Sequence, residues 1–264
     1  ITGIRAKKSL GQNFLVDQNI IKRIIDTIDI KNKEVLEIGP GTGNLTNSIL
    51  MKKPKKIYVI EKDRNLAIKL SEMFKDRIII INDDVLKINE NNICKKKLVV
   101  FGNLPYNIST EILCKWVLNL KKNSFWFTNL VLMFQKEVAN RIISDFNSTD
   151  YGRLSILSNW KLEIKKICDI KPTSFFPKPK VDSSLLFFTP KKKFFKLNNP
   201  RNLEKITRIF FNHRRKMIKK PYNKIFNGNL KISEKLNIDL NLRPQNLNFE
   251  TYYKLANEYE NLRS

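Results

Sequence analysis

The sequence predicts an α/β domain on a Rossmann-like, mainly parallel sheet with helices on both faces, followed by a small C-terminal helical domain. Three observations predict it. Short apolar runs alternate with helical patterns through the first two thirds of the chain. Short all-apolar runs such as Ile78–Ile81 suit strands covered on both faces. Near Pro190 the alternation stops and helical spacing alone continues. With 264 residues, 42% of them hydrophobic and 28% charged, the chain can bury a sizeable core.

The strand candidates are residues 34–38, 57–61, 78–81, 98–102 and 129–134. Between them, residues 43–51, 65–74, 109–119 and 135–144 carry helical spacing. Two later strand-like runs, 163–170 and 181–189, flank a Pro-rich loop and are expected to close the sheet edge as an antiparallel hairpin. Lys191-Lys192-Lys193 and residues 198–200 read as a linker. Beyond it Leu203, Ile206, Ile209 and Phe210, then Leu247, Tyr252, Leu255 and Ala256, follow helical spacing. The expected division is therefore residues 1–190 for the sheet domain and 191–264 for the helical domain.

Charge narrows the partners. Fifty Lys+Arg against 25 Asp+Glu leave a formal +25, an excess that attracts polyanions. Nucleic acid is favoured over an anionic membrane, because neither a basic amphipathic helix nor a long apolar stretch is present. Cys94, Cys114 and Cys168 lie far apart and His213 is the sole histidine, so no metal site is expected. Scattered thiols suit a reducing compartment, and a cytoplasmic location is expected. No spare apolar helix face stands out, so a monomer is expected.

The run Glu34–Ile38 leads into Gly39-Pro40-Gly41-Thr42-Gly43 and then a helix. Glycines at a strand-to-helix turn let the backbone approach a ligand closely. Glu61 ends the next strand, about 20 residues beyond the turn, where an acid accepts hydrogen bonds from a ribose. Asp83-Asp84 ends the third. A Walker loop would need Gly-Lys-Ser/Thr, but Asn44 follows Gly43, and the run does not continue as the Gly-x-Gly-x-x-Gly of a dinucleotide fingerprint. Three acidic strand ends, Glu37, Glu61 and Asp84, would repel a pyrophosphate and suit an adenosine bearing a sulfonium and an amino group. The plainer reading of Glu61 and Asp84 is a pair of helix N-caps.

The fourth strand runs into Asn103-Leu104-Pro105-Tyr106. This tetrapeptide has the form expected for methylating an amino group conjugated to a ring. Such an amine is a poor nucleophile, because its lone pair is delocalised. The Asn103 side-chain oxygen and the Leu104 carbonyl can accept its hydrogens and turn the lone pair toward a methyl group. Pro105 fixes the turn, and Tyr106 offers an aromatic face worth about 1–3 kcal/mol to a stacked base. Catalysis then reduces mostly to positioning. An Asn-Pro-Pro-Tyr or Asp-Pro-Pro-Tyr sequence would point to DNA adenine or protein glutamine, and Leu104 argues against both.

These motifs together resemble the small-subunit ribosomal RNA adenine N6,N6-dimethyltransferase family, its bacterial branch in particular. Further segments carry the likeness nearly end to end: Gly11-Gln12-Asn13-Phe14-Leu15 behind the basic Lys7-Lys8, Asn107-Ile108-Ser109-Thr110, Gln135-Lys136-Glu137-Val138, and Tyr151-Gly152-Arg153-Leu154-Ser155. So do Phe175-x-Pro177-x-Pro179-x-Val181-x-Ser183 and Phe211-Asn212-His213-Arg214-Arg215-Lys216. The resemblance implies an S-adenosylmethionine methyltransferase sheet and S-adenosyl-L-methionine contacts at Asn13, Leu15, Gly39, Gly41, Glu61, Asp84 and Asn103. It implies that Tyr106 and Phe175 enclose a flipped-out adenine, beside Asn103, Leu104 and Pro105. The implied substrate is two adjacent adenines in a hairpin near the 3′ end of small-subunit rRNA. An immature small ribosomal subunit would present them, and a role in subunit biogenesis would follow. Lys7, Lys8, Arg153, Lys178, Lys180, Arg214, Arg215 and Lys216 are the candidates for holding the RNA backbone.

Overall fold

A computed structural model describes Lys7 and residues 11–119 and 124–263 of the chain. It divides into two compact units. The first comprises Ile1–Lys115, Leu120–Ala139 and Ile164–Pro190; the second comprises Trp116–Asn119, Asn140–Glu163 and Lys191–Ser264.

The first unit opens with a two-residue strand, β1 (Phe14–Leu15), and helix α1 (Gln18–Ile25). Asp17 caps α1 by accepting from the Asn19 and Ile20 amides, and Ile21, Ile24 and Ile25 form its buried face. Then come β2 (Glu34–Ile38), α2 (Asn44–Met51), β3 (Lys56–Ile60), α3 (Arg64–Phe74), β4 (Ile79–Ile81), β5 (Leu98–Asn103), α4 (Ser109–Leu118), β6 (Phe127–Gln135) and α5 (Lys136–Ile143). The sheet is completed by β7 (Leu162–Ile170) and β9 (Ser183–Pro190), while the short β8 (Phe175–Phe176) pairs antiparallel with β1. The seven strands run in the order β4-β3-β2-β5-β6-β9-β7. From β4 to β6 every pairing is parallel, and β9 returns antiparallel along β6.

All five residues of β2 are buried. Its neighbours supply Val59, Val99 and Phe101, which are essentially inaccessible, to an aliphatic core shared with Ile24, Ile49 and Leu70. Each such side chain contributes roughly 1.5–3 kcal/mol on burial. Because β2, β3, β4 and β5 are parallel, their carboxyl ends open on one side of the sheet, and the loops that follow them converge there.

The second unit includes α6 (Arg153–Lys161), α7 (Pro200–Phe211), α8 (Lys219–Phe226), α9 (Leu230–Lys235) and α10 (Phe249–Asn261). Its core is aromatic. Tyr151 meets Phe211 and Phe249 edge-on, and Tyr252 packs on Phe210 and Phe211. The buried phenols are satisfied by backbone carbonyls: Tyr151 donates to Leu247 at 2.8 Å and Tyr252 to Pro244 at 2.7 Å. Burial holds both well above the usual tyrosine range. Asn199 and Asn248 cap α7 and α10.

The expected strands and helices occur within a residue or two of their predicted bounds. Helices α1, α6, α8 and α9 match no individually expected helix, although α8 and α9 fall within the expected helical region. Helix α6 buries Ser155, Ile156, Leu157, Ser158, Trp160 and Lys161, so no amphipathic stripe marks it. Helix α1 is only eight residues long, though its isoleucine spacing and Asp17 cap are visible in the sequence. Among the described residues no helix is long and apolar enough to cross a membrane, and no group of three or more His, Cys, Asp or Glu could hold a metal ion.

Candidate active site

At the carboxyl ends of the parallel strands lies one cleft. Gly39 and Gly41 line it from the turn after β2, Glu61 and Lys62 from the end of β3, and Asp83 to Leu86 from the loop after β4. Residues 103–108 line it beyond β5, and Gly11 to Leu15 complete the wall.

The glycine turn works through backbone geometry. Gly39, Gly41 and Gly43 all have positive φ, and Gly43 opens α2. At Gly41 (φ 57°) a Cβ would stand 2.7 Å from the Phe14 ring, so a side chain there would be both strained and obstructed. The Gly41 amide instead donates to Glu61 at 3.3 Å, and the Asp63 amide donates to the other Glu61 oxygen at 2.8 Å. The cap of α3 is Asp63, which accepts from the Asn65 amide. Glu61 is therefore not a helix cap; it is a buried carboxylate in the cleft wall. Asp84 does cap its own turn, accepting from the Leu86 amide at 3.0 Å, and it also meets Lys62 at 2.8 Å.

The electrostatics are those of an acid-lined pocket. Glu37 is fully buried; desolvation pushes its carboxyl up to about 8, against the lowering effect of a 2.6 Å hydrogen bond from Thr46. Burial also raises Glu61, partly offset by the Asp63 and Gly41 amides. Among the described residues neither acid has a Lys or Arg ion-pair partner. The Lys62 hydrogen bond holds Asp84 low. Buried carboxyl groups of this kind fit a ligand bearing hydroxyl groups, and the ionised Asp84 favours positive charge over a phosphate.

The acceptor side is set by two long-range hydrogen bonds. The Asn103 side-chain amide donates to the Asn13 carbonyl at 2.7 Å, across 90 residues of chain. Only the NH₂ end can donate to a carbonyl, so Asn103 Oδ1 is left to accept. The Leu104 side chain is buried, wedged beside Gly102, where a Cβ would approach it to 2.8 Å. The Pro105 carbonyl accepts from the Ile108 amide at 3.1 Å and closes the turn. The Tyr106 hydroxyl lies 2.5 Å from the Ser183 hydroxyl, and burial raises the phenol above its usual range, keeping it neutral.

Asn13, Leu15, Gly39, Gly41, Glu61, Asp84, Asn103, Leu104, Pro105 and Tyr106 thus line one cleft. Phe175 does not line it. It is 2% exposed, pairs with Leu15 across the β1–β8 ribbon and packs into the sheet unit's core; the exposed ring is Phe176. Of the basic residues, Lys7 is ion-paired with the buried Asp63 at 2.9 Å. Lys8 lies outside the described residues. Lys178, Lys180, Arg215 and Lys216 are exposed. Arg153 starts α6 with its Nε buried, and Arg214 is held by Gln245 and the Ser148 carbonyl. Sequence reasoning gave no role to Phe14, Val85 and Leu86, apolar lining beside the acids; the apolar pair directly after Asp83-Asp84 was the available signal.

The chain resembles known proteins over nearly its whole length. A family model described as ribosomal RNA adenine dimethylase matches residues 3–261. A ribosomal RNA small subunit methyltransferase A from Pelagibacter ubique is 66% identical over 260 residues, spanning 98% of this chain and 99% of the relative. A protein of the same name from a Wolbachia of Drosophila simulans is 41% identical, spanning 97% and 94%. Among solved structures, a dimethyladenosine transferase from Plasmodium falciparum superposes with a TM-score of 0.79 at 27% identity, covering 94% of this chain and 98% of that one. The 23S rRNA methyltransferase ErmE shares the fold, with a TM-score of 0.67 at 22% identity, covering 96% and 100%.

Proposed function

The chain belongs to the ribosomal RNA adenine dimethylase family, and on that premise we propose that it transfers methyl groups from S-adenosyl-L-methionine to the N6 amine of two adjacent adenines in small-subunit rRNA. The observation that carries this reading is the orientation of Asn103. Its amide nitrogen is spent on Asn13, which leaves its oxygen in the cleft beside a buried, acid-lined pocket.

The residues present suit the cofactor. Glu61 would accept from the ribose hydroxyls, Asp84 and the apolar Val85 and Leu86 would take the adenine end, and the Gly39–Gly41 turn would admit the chain close to the backbone. When bound, S-adenosylmethionine supplies an electrophilic methyl on a positively charged sulfur. Asn103 Oδ1 and the Leu104 carbonyl, to which no group donates among the described residues, would take the two amine hydrogens of adenine. That withdraws the lone pair from the ring and directs it at the methyl carbon. With the cofactor bound, an N–C bond would form as the S–C bond breaks, leaving its electron pair on sulfur, and the amine held by Asn103 and Leu104 would release a proton to solvent. No strong base is required, and the neutral Tyr106 phenol serves as a stacking wall rather than a proton acceptor. The monomethylated amine still has one hydrogen to donate, so the same acceptors serve a second transfer.

The adenine must leave its helix to enter such a cleft. Phe175 belongs to this reading as support beneath the β1–β8 ribbon. Lys7, Lys8, Arg153, Lys178, Lys180, Arg214, Arg215 and Lys216 are assigned to the RNA backbone, in line with the +25 charge. We assign transfer to residues 1–190 and RNA engagement also to 191–264, in a cytoplasmic monomer acting on immature subunits. The test is methyl transfer from labelled S-adenosylmethionine to immature small subunits, with nucleoside analysis of the RNA. Labelled N6,N6-dimethyladenosine is expected; label in protein or DNA, and none in RNA, would refute the substrate.

A further inference from the structure

The segment Asp182-Ser183-Ser184, where β9 begins, is fastened more tightly than a strand end requires. The Lys136 amide donates to the Asp182 carbonyl at 2.9 Å, and the Asp182 carboxylate meets Lys171 at 3.0 Å. The Ser184 hydroxyl donates to Asp169 at 2.7 Å, and Asp169 is itself ion-paired with Lys136 and Lys166. Between these anchors sits Ser183, fully buried and in register with Gln135 of β6.

A buried hydroxyl must be satisfied. The partner of Ser183 is the Tyr106 phenol, 77 residues earlier in the chain. Tyr106 sits in the loop after β5, a place where a long aromatic side chain has two free torsions. Within the described residues its phenol makes no other hydrogen bond. Ser183 itself does not line the cleft; Tyr106 does. Strand β9 therefore reaches the Tyr106 side of the cleft wall through this hydroxyl–hydroxyl contact.

We propose that Ser183 is a positioning residue for methyl transfer: its hydroxyl, fixed by β9, sets the attitude of the Tyr106 ring and so the plane in which the acceptor base stacks. The proposal rests on the reading of Tyr106 as the wall of the base pocket. It joins two segments that the sequence presents separately, Asn103-Leu104-Pro105-Tyr106 and the Pro-rich run ending in Ser183. Since burial keeps the phenol neutral, either hydroxyl can donate and the contact persists through the working pH range. A ring freed at its far end tilts about its torsions, and the amine loses alignment with the methyl donor. Small misplacements of this kind lower turnover far more than they lower cofactor affinity.

The experiment compares Ser183→Ala, Tyr106→Phe, the double variant and Tyr106→Ala in methyl transfer to immature small subunits. Cofactor dissociation constants and thermal midpoints are measured alongside. Ser183→Ala and Tyr106→Phe each remove the same contact from opposite ends, so each is expected to lower kcat about tenfold, with the cofactor constant unchanged. The double variant should be no worse than either single one, because the second change removes nothing further. Ser183→Cys, of similar volume and with a weaker donor, should fall between. Losses that multiply in the double variant, or a Ser183→Ala enzyme with full turnover, overturn the proposal. A Tyr106→Ala enzyme with full turnover overturns the base-wall reading, and the proposal with it. If Ser183→Ala does not fold, Tyr106→Phe and Ser183→Cys test the same contact: lowered turnover in both supports the proposal, and full turnover in Tyr106→Phe overturns it.

Discussion

On the donor side of the cleft, the parts hold one another locally. The Gly41 amide binds Glu61 20 residues on, and the Asp63 amide binds the same carboxylate from two residues away. On the acceptor side, Asn103 is fixed by Asn13 and Tyr106 by Ser183, 90 and 77 residues distant. The donor side is backbone geometry between adjacent parallel strands; the acceptor side is side-chain chemistry reaching across the unit. The two sides should therefore fail differently. Changes on the donor side should act through cofactor affinity, and changes on the acceptor side through turnover.

The largest effect expected from this contrast is at Asn103. Asn103→Ala removes the amine acceptor and should lower methyl transfer by about 10³-fold, with a smaller loss of cofactor affinity because Asn103 is also an expected cofactor contact. Single-turnover kinetics with calorimetry would check it, and a variant that turned over normally would end the proposed geometry. Next comes Gly41→Val. The positive φ and the Phe14 ring oppose any side chain there, so cofactor affinity should fall by about 10²-fold. Adding Phe14→Ala should recover part of that loss, since it removes the obstruction but not the strain.

A smaller effect tests whether the sides are coupled. Lys115, on the helix after the acceptor motif, donates to the Val85 and Ile88 carbonyls at 2.6 and 2.5 Å and pairs with Glu90 at 2.7 Å. It thereby ties that helix to the loop that lines the donor side. Lys115→Met should raise the KM for S-adenosylmethionine about tenfold and lower the melting temperature, because a partly buried ion pair loses one member. An unchanged KM would leave the sides independent.

The smallest effect is a pH dependence. Folded, Glu37 keeps its proton up to about 8, whereas the ordinary glutamate value is 4.5. Between those values the folded chain binds more protons than the unfolded one, so stability falls as pH rises through the window and levels off above it. Glu37→Gln should flatten that fall. Melting curves at pH 5, 7 and 8.5 would check it; parallel pH profiles for the two proteins would contradict the burial of an uncompensated acid.

Much of this was legible. The glycine turn, Glu61, Asp83-Asp84 and the Asn103–Tyr106 motif each occupy a short stretch, and parallel strands bring successive carboxyl ends together without further information. Phe175 was legible as a motif but not as a position: its register with Leu15 sends the ring into the core and leaves Phe176 outside. Helix α6 was hidden because it is buried on most sides, and periodicity reports only a boundary between core and water. Ser183 was visible only as one residue in a pattern, with nothing to connect it to Tyr106.

Local sequence was enough to determine the sheet, the helical C-terminal region and the chemical character of both sides of the cleft. Each of these follows from apolar periodicity or from residue types within a short span. Only folding decided which end of Asn103 faces the cleft, that Glu61 is a cleft-lining acid rather than a helix cap, and what holds Tyr106. Those are matters of hydrogen-bond direction, two of them between groups tens of residues apart, and local sequence carries no signal for a partner it meets only after folding.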